Sequence, residues 1–153
     1  MRSRRATLVV IEFGASWPRW LDPSHSGDMA VVAQHYEGEP SSLITQVASR
    51  VTRLEARGWE LKAAVLVSNG RCEGAAAAAR SILARGLLAQ LRAARGTHFA
   101  LSIEQRLGQR ARHNLIHLAE ALDPEAERCG VDLTVHTGNP TELSASDATA
   151  LAS

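Results

Sequence analysis

The sequence is poor in cysteine, lysine and aromatic residues, and each shortage excludes a class of protein. Two cysteines among 153 residues, Cys72 and Cys129, cannot form the disulfide framework of a small secreted domain. Of the seventeen basic residues only Lys62 is a lysine, and the formal net charge of +1 gives no overall field toward nucleic acid or membrane. Aromatic residues make up 4% of the chain, and no patch combines them with basic residues as a nucleic-acid surface would.

Long hydrophobic runs are lacking as well. The apolar segment 8–13 behind the basic N-terminus is short and contains Glu12, so it predicts neither a signal peptide nor a transmembrane helix. We therefore expect a cytoplasmic protein. The length and the hydrophobic fraction of 45% suit one core, so we expect a single domain over residues 1–137. The Ser-, Thr- and Ala-rich residues 138–153 predict a disordered tail.

What the chain does contain is an alternation of strand and helix patterns. Short apolar runs rich in β-branched residues predict strands, and apolar residues at helical spacing predict helices. The predicted strands are 7–13, 29–36, 60–67, 98–103 and 131–137. The predicted helices begin at Ser41 or Ser42, at about 73 and at about Glu104. They end at Gly58, at about 95 with Gly96 as the stop, and at about Leu122, where Asp123-Pro124 interrupts the helix and leaves one further turn to Arg128 open.

The resulting order, β-β-α-β-α-β-α-β, predicts an α/β three-layer sandwich, in which a mostly parallel sheet of about five strands has helices on both faces. The continuous apolar run 60–67 indicates a central strand, and the alternation at 131–137 indicates a strand near an edge. The first two strands could also pair as an antiparallel hairpin, and the sequence leaves this open. Ligands bind beyond the carboxyl ends of the strands in such sheets, which here are the segments 12–28, 68–74, 102–106 and 136–139.

Two features near these strand ends are candidates for a site. Glu12 lies either inside an apolar strand, where a carboxylate is costly unless it is paired, or at a solvated strand end. The loop Ser68–Gly74 precedes a helix, so its backbone N–H groups could hold an anion with help from Arg71, or it could be a plain turn. It matches neither the Walker loop nor Gly-x-Gly-x-x-Gly. Cys72 lies in this loop without the arginine that a cysteine-phosphatase loop requires at position 78.

Two further patterns carry candidate side chains. Trp17-Pro-Arg-Trp20 places two indoles in one loop, where they can cap a ligand, anchor a partner or pack beneath the loop. His113 and His117 have the spacing of two metal ligands on a helix, but position 114 is Asn, and a solvated helix face is the other interpretation. The candidate ligand-binding residues are Glu12, Trp17, Trp20, Ser68, Asn69, Gly70, Arg71, Cys72 and Gly74, and the weak metal candidates are His113 and His117.

The segment 60–103, a strand followed by Ser68-Asn-Gly-Arg-Cys-Glu-Gly74, an Ala-rich helix and a strand, resembles universal stress proteins. The resemblance covers about a third of the chain. It implies a small cytoplasmic Rossmann-like domain, commonly dimeric, and ATP or another nucleotide as the candidate cofactor. The ATP-binding members carry Gly-x2-Gly-x9-Gly-Ser/Thr, whereas this chain has Gly70, Gly74 and then Gly86 followed by Leu87.

No complete catalytic set is present, and there is no Gly-x-Ser-x-Gly nucleophile motif. We therefore expect a small cytoplasmic α/β binding or regulatory domain that forms a homodimer, with a nucleotide as a candidate ligand. One alternative is a hydrolase or transferase acting on a phosphorylated or nucleotide substrate, with Glu12 as base or metal ligand and Arg71 as anion clamp. Another is a homo-oligomeric assembly protein with its contact on the Ala-rich helix. Expected partners are a small molecule or a protein and not a membrane, and nucleic acid is a weaker option that rests on the Arg-rich helix faces.

Overall fold

The computed structural model describes residues 4–18, 20–21, 29–36 and 39–137. A parallel sheet that alternates with three helices confirms the predicted α/β class. The predicted tail 138–153 and residues 22–28 of the predicted loop lie outside the described residues. The elements in chain order are β1 (Arg4–Glu12), β2 (Met29–Tyr36), α1 (Pro40–Ala56), β3 (Trp59–Ser68), α2 (Gly74–Ala93), β4 (His98–Ile103), α3 (Gln109–Arg128) and β5 (Asp132–His136).

The strands lie in the order β2-β1-β3-β4-β5, and every neighbouring pair is parallel. The predicted central position of strand 60–67 and the edge position of strand 131–137 are both observed. β1 and β2 pair in parallel, from Arg5 beside Met29 to Glu12 beside Tyr36, which excludes the antiparallel hairpin. Parallel neighbours cannot be joined by a tight turn, so β1 and β2 need a crossover connection.

All three helices pack on the same face of the sheet, which differs from the predicted helices on both faces. The reason is that the crossovers containing α1, α2 and α3 all advance in one direction along the sheet, so right-handedness places them on one side. None of the three is long and apolar enough to cross a membrane. Their buried side chains share one core with alternate strand residues, among them Leu8, Val10, Leu66, Phe99 and Leu101.

The opposite face of the sheet is covered by the described residues that follow β1. The step from β1 to β2 runs in the other direction along the sheet, so a right-handed crossover leaves β1 on the side away from the helices. Ala15, Trp20 and Leu21 of the connection therefore pack against strand residues. The buried strand residues of this second cluster are Val9, Ile11, Val65, Val67 and Ala100.

Proline and glycine determine the ends of α1. The helix begins at Pro40, ahead of the predicted Ser41 or Ser42, because the fixed φ of proline suits the first helical position, where no N–H partner is needed. Gly58 ends the helix as predicted. Its φ of 86° lies in the left-handed region that glycine adopts without strain.

Helix α3 begins later than predicted and includes the further turn that the sequence left open beyond Pro124. It begins at Gln109 rather than at Glu104, because residues 104–108 form a turn beyond the carboxyl end of β4. It continues through Pro124 to Arg128. Ala126, buried behind the proline, extends the apolar stripe of the helix by one more turn, and this burial favours continuation of the helix.

Candidate ligand-binding site

The loops after β1, β3 and β4 and the end of β5 meet at one edge, because parallel strands end on the same side of a sheet. The chain moves one way from β1 to β2 and the other way from β3 onward. The topological switch point therefore lies between the carboxyl ends of β1 and β3, where Glu12 and Ser68 are the last strand residues. The predicted site residues lie around this point, but they form two separate groups.

The first group is built on a buried ion pair between Glu12 and Arg80 of α2. Arg80 Nε donates to Glu12 Oε1 at 2.9 Å and to Oε2 at 3.2 Å. The backbone N–H of Asn69 donates to the same Oε1 at 2.9 Å. Both charged side chains are only 4% exposed. Of the two interpretations of Glu12, the structure therefore shows the buried and paired carboxylate.

Arg80 and Asn69 extend this contact to the loop after β3. Arg80 Nη1 donates to the carbonyl oxygen of Arg71 at 3.0 Å, and Nη2 donates to Asn69 Oδ1 at 3.2 Å. Asn69 Nδ2 donates to the carbonyl oxygen of Phe13 at 2.9 Å. The sequence did not single out Arg80 as a site residue. An arginine within an alanine-rich helix was the available signal, because a charge on a packed face needs a partner.

In the loop Ser68–Gly74, three backbone N–H groups are already hydrogen bonded to side chains of the protein. The N–H of Asn69 is bound to Glu12, that of Gly70 donates to Ser68 Oγ at 3.1 Å, and that of Arg71 donates to Asn69 Oδ1 at 3.0 Å. Three of the amides expected to hold an anion are thus already hydrogen bonded. Cys72 is half-buried, with its thiol 3.2 Å from the carbonyl oxygen of Gly70.

The second group lines a cleft of about 290 Å³ on the face opposite the helices. It lies between the loop after β1 and the turn after β4, over the ends of β3 and β4. The predicted Trp17 and Trp20 both line it, whereas the loop 68–74 does not contribute to its described lining. The other lining residues are Ser16, Pro18, Val67, Ser102, Ile103, Glu104, Gln105 and Arg106.

Trp20 is held by two side chains of neighbouring strands. Its Nε1 donates to Ser102 Oγ at 3.0 Å, and its indole stacks on the ring of His136 with centroids 3.8 Å apart and planes 12° apart. Ser102 and His136 are register partners in β4 and β5, so one indole covers both. Burial beneath Trp20 lowers the pKa of His136 below its ordinary value. Trp20 thus packs beneath its loop and forms a fixed wall of the cleft.

Trp17 is the more open of the two indoles. Its Nε1 donates to the carbonyl oxygen of Leu21 at 2.8 Å, which fixes the orientation of the ring. The side chain is 37% exposed and lines the cleft. An indole that is oriented by a hydrogen bond and still exposed offers a surface for stacking at little entropic cost.

Glu104 and Arg106 are the charged residues of the described lining. The carboxylate of Glu104 accepts hydrogen bonds from the N–H of Ser16 at 3.1 Å and from Arg106 Nε. Burial opposes ionisation of Glu104, but the hydrogen bonds from Ser16 and Arg106 outweigh it and lower its pKa. The sequence indicated the segment 102–106, but it singled out neither residue as a site residue. Opposite charges two positions apart directly after a strand were the available signal.

His113 and His117 lie on exposed positions of α3, away from this cleft. Their rings meet edge to face with centroids 5.1 Å apart, and His117 Nδ1 lies 3.8 Å from Glu120. Among the described residues no group of three or more His, Cys, Asp or Glu side chains is placed to hold a metal ion. Nothing in the described part of the chain supplies the further ligands that this histidine pair needs.

Comparison of the chain with protein-family models, with curated proteins and with solved structures gives no match. The resemblance of segment 60–103 to universal stress proteins therefore stays a prediction from the residues alone.

Proposed function

We propose that this chain is a small α/β binding or regulatory domain, and that its ligand occupies the cleft between Trp17 and Arg106. The observation that carries the proposal is a concave site at the carboxyl edge of a parallel sheet, with two oriented indoles and two charged groups. Sites of this kind combine apolar walls with a few fixed polar groups. We extend the proposal to a cytoplasmic location, as expected from the sequence.

A nucleotide, ATP included, is one candidate ligand within this proposal. Its phosphates were expected to contact the loop Ser68–Gly74. Because the amides of Asn69, Gly70 and Arg71 are bound internally, we place any ligand in the tryptophan-lined cleft instead. The universal stress protein-like assignment rests on the resemblance of residues 60–103 and on no contact in this cleft.

The enzyme alternative used Glu12 as base or metal ligand and Arg71 as anion clamp. We disfavour it because Arg80 contacts both carboxylate oxygens of Glu12 and Asn69 binds one of them, inside a site that is 4% exposed. A general base must reach the proton that it removes and must be free to accept it. We assign Glu12 the role of positioning the loop after β3.

A bulky side chain at the rim of the cleft tests whether ligands bind there. Gln105 is exposed at the rim of the cleft, and Gln109 is exposed in a separate groove on α3, so Gln105→Trp and Gln109→Trp form a matched pair. A panel of nucleotides and small organic acids is screened by amide chemical-shift mapping on the parent and on both variants. We expect ligands to shift the amide signals of Ser16, Trp17, Trp20 and residues 102–106, and Gln105→Trp alone to abolish the shifts. Ligands that bind equally well to Gln105→Trp would refute the site.

A homodimer is the second candidate function, and one specific surface favours it. Ala75, Ala78 and Ile82 lie on one exposed stripe of α2, and Ile82 is 51% exposed. Light scattering during size exclusion measures the mass of the parent, of Ile82→Glu and of Ala121→Glu, an exposed control position on α3. We expect a dimer that Ile82→Glu alone dissociates. A monomeric parent at high concentration would refute this role.

A further inference from the structure

We propose that the cleft binds a small aromatic molecule carrying a carboxylate or a phosphate group, with Arg106 holding the anion and Trp17 supporting the ring. This inference rests on the proposed function, because it takes the cleft as the ligand site. It adds the chemical class of the ligand and the residue that recognises its charge.

Arg106 is oriented for this role by its own contacts. Its Nε donates to Glu104, and Glu104 is held in turn by the N–H of Ser16. The side chain of Arg106 is nevertheless 74% exposed. Within the described residues, its two terminal Nη groups donate to no acceptor, so they remain to bind a ligand. A guanidinium fixed through Nε presents these groups as a fork that matches a carboxylate or a phosphate.

The local charge favours an anion over a cation. Between residues 104 and 113 the chain carries one acidic residue and three arginines, of which Arg106 lines this cleft and Arg110 and Arg112 line the separate groove on α3. The acidic residue, Glu104, already has the hydrogen bonds of Ser16 and Arg106 on its carboxylate. The N-terminus of α3 follows this turn with no acidic residue in its first turn, and the helix dipole there adds positive potential. An ammonium group on the ligand would therefore find no uncompensated partner among the described lining residues.

The walls and the size of the cleft indicate the remainder of the ligand. The indole of Trp17 is fixed through Leu21, and Pro18 and Val67 add apolar surface beside it. A planar ring is the shape that stacks on such a surface. A volume of about 290 Å³ is at the low end for small-molecule sites, which favours one ring with one anionic group over a large ligand.

Four fluorinated probes that differ in charge test the ligand class by fluorine-observed NMR on the full chain. They are 4-fluorobenzoate, 4-fluorophenyl phosphate, the neutral 4-fluorobenzamide and the cationic 4-fluorobenzylamine. We expect line broadening and shifts for the two anions, with dissociation constants roughly ten- to hundredfold below those of the neutral and cationic probes. The ratio between benzoate and phenyl phosphate identifies the preferred anion. Equal binding of all four probes in the cleft would overturn the inference and leave the proposed site intact.

Variants test the two named contacts. Arg106→Gln should weaken the binding of the anionic probes about tenfold or more and leave the binding of 4-fluorobenzamide unchanged. Arg106→Lys should recover part of this affinity, because it keeps the charge but lacks the two-pronged guanidinium. Trp17→Ala should weaken the binding of every aromatic probe. Arg128→Gln, an exposed arginine in the last turn of α3, is the matched control and should change nothing. Anion binding that survives Arg106→Gln would overturn the inference, and anion binding that survives Gln105→Trp would refute the cleft itself.

Discussion

Glu12 and Arg80 form a buried ion pair at 2.9 Å across 68 positions of sequence. The pair joins the end of β1 to the second turn of α2, and Asn69 binds both partners from the loop after β3. Three segments at the topological switch point are thereby held in one arrangement. The tryptophan-lined cleft lies on the other face of the sheet, so this network shapes the edge without contributing to the described lining of the cleft.

Arg80→Met is expected to destabilise the fold by roughly 3–5 kcal/mol, because it leaves the carboxylate of Glu12 buried without its charged partner. Urea unfolding measures the change. The double variant Glu12→Leu, Arg80→Met should recover much of the loss, since it leaves no uncompensated charge. Glu60→Gln removes the exposed Glu60–Lys62 pair and should cost less than about 1 kcal/mol. A similarly small cost for Arg80→Met would contradict a buried pair.

Gly86→Val is expected to destabilise the protein by about 1–3 kcal/mol through overpacking. Gly86 faces Ile44 where α2 meets α1, and a Cβ added at this position would overlap the side chain of Ile44. The glycine permits this close approach of the two helices. A double-mutant cycle with Ile44→Ala should show a favourable coupling, because the shortened side chain makes room for the valine.

A matched control uses the other glycine of the same helix. Gly74 has no atom within 4 Å of an added Cβ, so Gly74→Val should not show the overpacking cost of Gly86→Val. Thermal and urea unfolding of the four cycle members and of this control test the contact. Additive effects of Gly86→Val and Ile44→Ala would show that the two residues do not restrict each other.

The alternation of strand and helix patterns was sufficient to predict the fold class, the central strand and the edge strand. These depend on local features, namely the length and periodicity of apolar runs such as 60–67 and 131–137. Placement of the helices was predicted less well. It depends on the direction of each crossover, which follows from strand order, and strand order is a long-range property that no single segment encodes.

At the carboxyl edge too, features that depend on local sequence were predicted, and contacts between distant segments were not. Glu12 drew attention as a carboxylate in an apolar strand, which is a local signal. Its partner Arg80 depends on how α2 lies over the sheet, and no spacing along the chain predicts that. The cleft shows the same limit, since Trp20 was a candidate from its loop, whereas Ser102 and His136 meet it only because β4 and β5 are neighbours.

Arg95→Gly is expected to stabilise the fold by about 1 kcal/mol, because it removes a side chain from the left-handed region. Arg95 follows α2 with a φ of 59°, in the left-handed region where a side chain is strained and glycine is not. The sequence placed the helix end at Gly96, one position later. Gly96→Ala should instead destabilise the fold, because an added Cβ would lie 2.5 Å from Leu91 Cδ2 and 3.1 Å from the carbonyl oxygen of Leu61. Thermal unfolding of both variants tests the assignment, and a stabilising Gly96→Ala would contradict it.

The free energy of unfolding should decrease in acid in two stages, because the loop after β1 contacts two groups with lowered pKa values, His136 and Glu104. The pKa of His136 is lowered from 6.5 by burial beneath Trp20, so the unfolded chain takes up this proton at a higher pH than the folded chain does. Stability is therefore full above about pH 6.5 and falls as the pH decreases toward the pKa in the folded state. Glu104, with its pKa lowered from 4.5 by Ser16 and Arg106, adds a second loss of stability that begins near pH 4.5.

Urea unfolding at a series of pH values tests both stages. His136→Phe, which keeps a ring beneath Trp20, should remove the upper stage only, and Glu104→Gln should remove the lower stage only. A parent whose stability rises between pH 7 and pH 5 would contradict the buried stack.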